Sequence, residues 1–273
     1  MDSQFEQAAD AIINGDIPIL TNLLREFPAL VHAKSLRPHG ATLLHYIAAN
    51  GVEQERQKSP ANATEIARLL LTAGSEVDAL ADMYGGQQTT LNMLVSSNPP
   101  AVAGTQVALA ELLVDFGAAK DQALITALAH GYQAAAQALA HRGASTNNLP
   151  AAAGLGHVPD ALRLLALASP LERQIALALA AQHGHVEIVK LLLDAGEDPN
   201  RQNPPGFHGH ATPLHEAALN GHTEGVRLLV ARGARLDLKD TVYQGTPLGW
   251  AKHAGHTNLE KYLSAHHPSS VDP

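Results

Sequence analysis

The sequence predicts an all-α solenoid of about eight helix-turn-helix copies, with connections long enough for a hairpin at both ends of the array and too short for one in the middle. Three observations predict it. One pattern of small residues, leucines and glycines recurs along nearly the whole chain. Each copy reads as two short amphipathic helices, too small to bury an apolar face alone, so neighbours must stack. The connections between copies are long towards the two ends and short in the centre.

The pattern is clearest in "TPLHEAALNGHTEGVRLLVARGARLDLKD" (Thr212 to Asp240). Thr212 is placed to cap a first helix with its hydroxyl, Pro213 is preset for the first helical position, and Ala217 and Ala218 allow close helix packing. Gly221 ends that helix in a left-handed conformation. Val226, Leu228 and Leu229 face the neighbouring copy, and Gly233 ends the second helix. "QIALALAAQHGHVEIVKLLLDAGEDPN" and "GTPLGWAKHAGHTNLEKYLSAH" flank it, and "ATLLHYIAANG" with "EIARLLLTAGSEVDA" forms another copy. Weaker copies fill the remainder, so the chain reads as one domain over residues 1–273. The copies lie near 5–35, 39–79, 86–120, 121–145, 147–169, 172–203, 209–240 and 243–266, with a tail at 267–273 that is expected to fray.

The TPLH start, A-A-x-x-G-H middle and L-L-x-x-G-A end resemble the ankyrin repeat. The resemblance is specific in the last three copies and diluted elsewhere. It implies a finger between successive helix pairs and a concave face formed by fingers and first helices. The junctions Phe27–Thr42, Gly74–Thr89, Gly196–Thr212 and Gly233–Thr246 have full length for a finger, whereas Gly117–Gln122, Gly143–Asn147 and Ser169–Ile175 are too short for two strands and a turn.

In the family the residue after the TPLH histidine points to the concave face. That register reads Asp10, Tyr46, Met93, Thr126, Ala151, Leu179, Glu216 and Trp250. Its centre is small and apolar and its borders are aromatic. The fingers beside it add Arg37, Asp82, Tyr84, Phe207 and Tyr243, a concentration of aromatics in a chain with only 4% of them. The binding residues expected from this reading are Tyr46, Asp82, Tyr84, Met93, Phe207, His208, Glu216, Tyr243 and Trp250.

Two insertions, Val52–Ala63 and Ser96–Gln106, separate first and second helices in adjacent copies. They read either as surface loops or as segments that pack together and close one end of the groove. Sixteen histidines invite a metal hypothesis. Six have a structural role in the family: His45 and His215 at the TPLH position, and His157, His185, His222 and His256 at the G-H position. Asn92 and Gly249 replace the TPLH histidine and lose its tie. His208 and His210, at i and i+2 in an extended finger, would face the same way, but no third ligand is evident, and no metal or cofactor is expected.

A net charge of −8 with 18 dispersed Lys and Arg argues against nucleic acid. The opening "MDSQFEQAADAIINGD" has no signal-peptide character and no later segment is long and apolar enough to span a membrane, so a cytoplasmic monomer is expected. The absence of cysteine removes disulfides and thiolate chemistry. No Walker loop, G-x-G-x-x-G, H-E-x-x-H or G-x-S-x-G occurs. The leading reading is a non-catalytic scaffold that binds a partner protein through its concave face and finger tips. The alternative makes the fingerless centre an apolar pocket for a small molecule, with Asp82, Glu216 or the His208/His210 pair as acid/base groups.

Overall fold

The computed structural model describes residues 2–266, so the 267–273 tail lies outside the described residues. The chain forms two compact units, residues 1–144 and 145–273. Both are built from helix pairs, as the repeat requires.

The first unit opens with α1 (Asp2–Asn14) and α2 (Ile17–Glu26). The next first helix is compressed into a 3-10 turn, Leu43–Ala48, which ends in a left-handed Ala49 just before the first insertion. Its partner is α3 (Ala63–Thr72). A hairpin, β1 (Ala81–Met83) and β2 (Gly86–Gln88), leads into α4 (Thr90–Leu94), and the second insertion contains the short α5 (Asn98–Val102). α6 (Gln106–Asp115), α7 (Asp121–Ala129) and α8 (Gln133–His141) complete the unit. First helices pack side by side: α1 on the 3-10 turn, that turn on α4, and α4 on α7. The two insertions touch, with Ser59 Oγ 2.9 Å from Thr105 Oγ1.

The second unit holds α9 (Leu149–Leu155), α10 (Val158–Leu165), α11 (Pro170–Gln182), α12 (Val186–Asp194), α13 (Pro213–Leu219), α14 (Thr223–Ala231), α15 (Pro247–His253) and α16 (Thr257–His266). Its first helices stack in the order α9, α11, α13, α15 over a continuous core of alanines and leucines. α11 starts five residues before the Ile175 that the repeat register marks. The cause is a capping box, in which Ser169 Oγ accepts from the Glu172 N–H and the Glu172 carboxylate accepts from the Ser169 N–H.

The glycine-histidine element is a lock between copies. Gly156 sits at φ +78°, and a Cβ there would lie 2.7 Å from the His185 ring of the next copy, whose Nε2 stands 3.0 Å from the Gly154 carbonyl oxygen. Gly221 and His256 repeat the arrangement. Only glycine supplies both the left-handed turn and the space.

Four fingers form where the sequence has length for them. Finger 1 carries the isolated bridge Lys34–Thr42 and finger 2 is the β1–β2 hairpin. Fingers 3 and 4 are irregular loops pinched by backbone bonds, Asn203 N–H to Ala211 O (2.8 Å) and Asp240 N–H to Gly245 O (2.9 Å). Between α6 and α7, and between α10 and α11, only a tight connection remains.

Candidate functional site

The TPLH histidines position the fingers. Thr212 N–H donates to His215 Nδ1 (3.2 Å), so Nε2 carries the proton and donates to the Gly245 carbonyl of finger 4 at 3.1 Å. His45 does the same for finger 2, with Nδ1 accepting from Thr42 N–H at 3.2 Å and Nε2 donating to Gln88 O at 3.2 Å. Burial pushes His45 down to about 4 and lowers His215 in the same direction, so both rings are neutral at physiological pH and keep this tautomer. At α4 and α15 the histidine is absent. There Thr89 and Thr246 still cap their helices, accepting from Asn92 N–H and Gly249 N–H at 3.3 Å.

In the second unit fingers 3 and 4 bring rings together. His210 lies 5.7 Å from Trp250 and 5.8 Å from Tyr243, and Trp250 stands edge-on to His215 at 5.1 Å. Asp240 fixes the cluster from below. Its carboxylate accepts from the backbone N–H groups of Val242 (2.9 Å), Tyr243 (2.6 Å) and Gly245 (2.8 Å), and from the Trp250 indole at 3.0 Å. Burial by itself would raise the pKa of Asp240; these donors outweigh it and hold the group below the usual carboxylate range. Gly249, in the place of a TPLH histidine, leaves room beside the indole. The result is a mainly apolar groove of about 520 Å³ lined by Leu219, Tyr243, Gly245, Gly249, Trp250 and His253.

The residues expected to bind divide by environment. Trp250 is half-buried, and Tyr243 is 76% exposed at a finger tip. Phe207 is half-buried in finger 3. Tyr84, also 76% exposed, tips finger 2 and donates to Asn50 Oδ1 at 2.7 Å, while Asp82 is exposed and accepts from Gln87 Nε2. Tyr46 is not on an accessible face. It is fully buried between Phe5 and His39, with Arg56 over its ring, because the first finger and first insertion close over it. Burial raises its phenol to about 12.

Met93 is also buried, although it forms part of the wall of a cleft in the first unit. Glu216 is 1% exposed, with Oε1 paired to His208 Nδ1 at 2.8 Å and Oε2 without a partner. That hydrogen bond raises the pKa of His208 against the opposing effect of burial. His208 takes a left-handed φ of +55°, so the segment is not extended as expected, yet the His208 and His210 rings still lie 6.1 Å apart, with His208 bonded to Glu216 and His210 against the aromatic cluster. No group of three metal-binding side chains occurs among the described residues.

The central register behaves differently from the expectation of a small apolar notch. Ala151 and Leu179 are fully buried and present no surface. Thr126 instead lines a cleft of about 580 Å³ in the first unit, whose other walls are mostly carboxamides. Asp240 and Arg56 were not singled out by sequence reasoning. A finger beginning with Asp and followed by Gly five residues on is an Asx-turn signal that marks Asp240 in retrospect; Arg56 has no comparable signal.

Stacked helix pairs, capped by Thr-Pro, tied by histidine and joined by fingers, define a repeat scaffold. The family model "Ankyrin repeats (3 copies)" matches residues 149–240. A cyclin-dependent kinase 4 inhibitor B of Rattus norvegicus is 32% identical over 118 residues, covering 33% of this chain and 90% of that protein. An ankyrin repeat and SAM domain-containing protein 6 of Mus musculus is 40% identical over 84 residues, and a putative E3 ubiquitin-protein ligase XBAT31 of Arabidopsis thaliana is 35% identical over 109 residues. Those matches cover 31% and 40% of this chain, but only 9% and 23% of the two proteins. The chain belongs to the ankyrin-repeat family. It is in the class of protein-interaction scaffolds. No helix among the described residues is long and apolar enough to cross a membrane.

Proposed function

We propose that the chain is a non-catalytic cytoplasmic scaffold that binds a partner protein through finger tips and first helices, with the Trp250–Tyr243 groove of the second unit as its principal anchor site. The observation that carries this reading is the Asp240 cage. Four N–H groups converging on one buried carboxylate fix a half-exposed indole and the backbone that carries the exposed Tyr243 beside an apolar groove. Rigid, partly exposed aromatics lose little entropy on binding and suit the centre of a protein interface. The named relatives support the class, since one is a kinase inhibitor and another a putative ubiquitin ligase. The partner here is a different matter of surface chemistry, and the groove calls for an apolar side chain.

The test is affinity capture from native cytosol by the tagged chain, with Trp250→Ala alongside and both eluates identified by mass spectrometry. A protein retained at near one-to-one amount by the wild type and lost by the variant supports the reading. Identical capture by both proteins removes Trp250 as an anchor and sinks it.

A further inference from the structure

Finger 2 has an unfinished edge. Its turn is Tyr84–Gly85, with φ of +53° and +78°, the two-residue geometry that matches the twist of a hairpin. The pairs are Met83 with Gly86, Asp82 with Gln87 and Ala81 with Gln88. Pairs in an antiparallel ladder alternate between exchanging hydrogen bonds and pointing them outwards, and a two-residue turn closes on an exchanging pair. The main-chain groups of Asp82 and Gln87 therefore point away from the ladder, to opposite sides. On the Asp82 side the bond is made: its N–H donates to His39 O of finger 1 at 2.8 Å. On the Gln87 side the connection between α6 and α7 is too short for a finger, and the Gln87 N–H and C=O have no backbone partner among the described residues.

The space of the missing finger is the 580 Å³ cleft. Gln88, Asn92, Gln122 and Thr126 line it, and no Asp, Glu, Lys or Arg does. Asn92 stands where His45 and His215 each reach the carbonyl of a following finger, and at this copy there is no such carbonyl. Its Oδ1 is buried without a partner. A carboxamide offers one acceptor and two donors, the complement of a peptide unit, and a wall that holds His130 but no carboxylate, ammonium or guanidinium group disfavours a charged ligand, which would lose its hydration without a fixed counter-charge.

We propose that this cleft binds an extended, uncharged segment of a partner polypeptide as an added strand on β2, taking the place of the absent finger. Gln87 exchanges main-chain hydrogen bonds with the segment, while Asn92, Gln88 and Gln122 receive its next peptide units. The strand edge is three residues long, so the recognised core is about four residues. The inference rests on the reading of the chain as an interaction scaffold but uses a site separate from Trp250.

The test begins with random heptapeptides displayed on phage and selected on the full chain. The enriched peptide is synthesised, together with copies N-methylated at each main-chain nitrogen in turn, and Kd is read by fluorescence anisotropy. Gln87→Pro deletes the outward N–H while leaving the ladder bonds of the hairpin in place. It is expected to weaken binding about tenfold, as is N-methylation at the nitrogens that face β2. Thr126→Phe should abolish binding by filling the cleft, and Trp250→Ala should leave it unchanged. Unaltered Kd for every N-methylated copy on the wild-type protein overturns main-chain recognition without relying on any variant. Enrichment no greater than on Thr126→Phe overturns the site. Binding lost in Trp250→Ala and kept in Gln87→Pro overturns the cleft assignment while leaving the scaffold reading intact.

Discussion

Finger 1 and finger 4 solve one problem in opposite ways. Both must hold a loop of polar backbone against the first helices. Finger 1 is held by charge: Arg37 reaches Glu6 at 2.8 Å and also pairs with Glu53, and Arg56 reaches Glu6 at 2.7 Å and Asp10 at 2.8 Å. Finger 4 is held by one carboxylate, Asp240, which collects backbone and indole N–H groups and needs no cation. The first arrangement seals its aromatic, Tyr46, inside, while the second leaves Trp250 and Tyr243 at the surface. A finger fixed from within by hydrogen bonds frees its outer face for binding; one fixed by ion pairs uses that face to hold itself.

The largest expected effect is at Asp240. Asp240→Ala strands the N–H groups of Val242, Tyr243 and Gly245 and the indole of Trp250, and should cost about 3 kcal/mol in urea unfolding. Because the folded pKa of Asp240 lies below its ordinary value of 3.8, the stabilisation is present above that value and disappears as pH falls through the folded one. The gap between wild type and variant should therefore be constant from neutral pH down to about pH 5. Tm should drop as well, and Trp250, the only tryptophan, should report the loosening in its emission. An Asp240→Ala protein with wild-type stability would show that the cage contributes nothing.

Arg56→Ala should cost about 2 kcal/mol, because Glu6, Asp10 and Glu53 lose a shared cation, and Glu53 is nearly buried. The contrast with finger 4 lies in salt. Raising NaCl from about 0.05 to about 1 M shortens the screening length to roughly 3 Å, so the Arg56→Ala penalty should shrink while that of Asp240→Ala holds. Equal salt dependence in the two variants would erase the distinction between charge-held and hydrogen-bond-held fingers.

The repeat and its finger gaps were legible because they rest on local chemistry: Thr-Pro at helix starts, left-handed glycines at helix ends, and junction lengths that either do or do not admit a hairpin. Trp250 was expected from its register after the TPLH position and Tyr243 from its place in a full-length finger, and the structure leaves the first half-buried and the second exposed. The burial of Tyr46 and Glu216 was not legible. Their register is that of Trp250, but an insertion covers Tyr46 and finger 3 folds His208 over Glu216, and register alone does not report what a loop lays on top. The Arg56 network depends on contacts 46 and 50 positions apart, which no single repeat reveals, whereas the Asp240 cage is local, with partners 2 to 10 positions away, and only its indole bond lies beyond the turn that the Asp and Gly mark.

The smallest effect separates finger 3 from both. His208 gains a partner in Glu216 on folding, so its pKa is raised above the ordinary 6.5. The stabilisation is complete below the unfolded value and is lost as pH rises through the folded one, opposite in sign to Asp240. The side chain of His208 is 36% exposed, so solvent screening limits the pair to about 0.5 kcal/mol. His208→Gln keeps a neutral hydrogen-bond donor and removes the titration. Urea unfolding read through Trp250 should show the wild type ahead of His208→Gln at pH 5.5 and level with it by about pH 9. A difference independent of pH would mean that packing of the imidazole, and not its proton, holds finger 3 against Glu216.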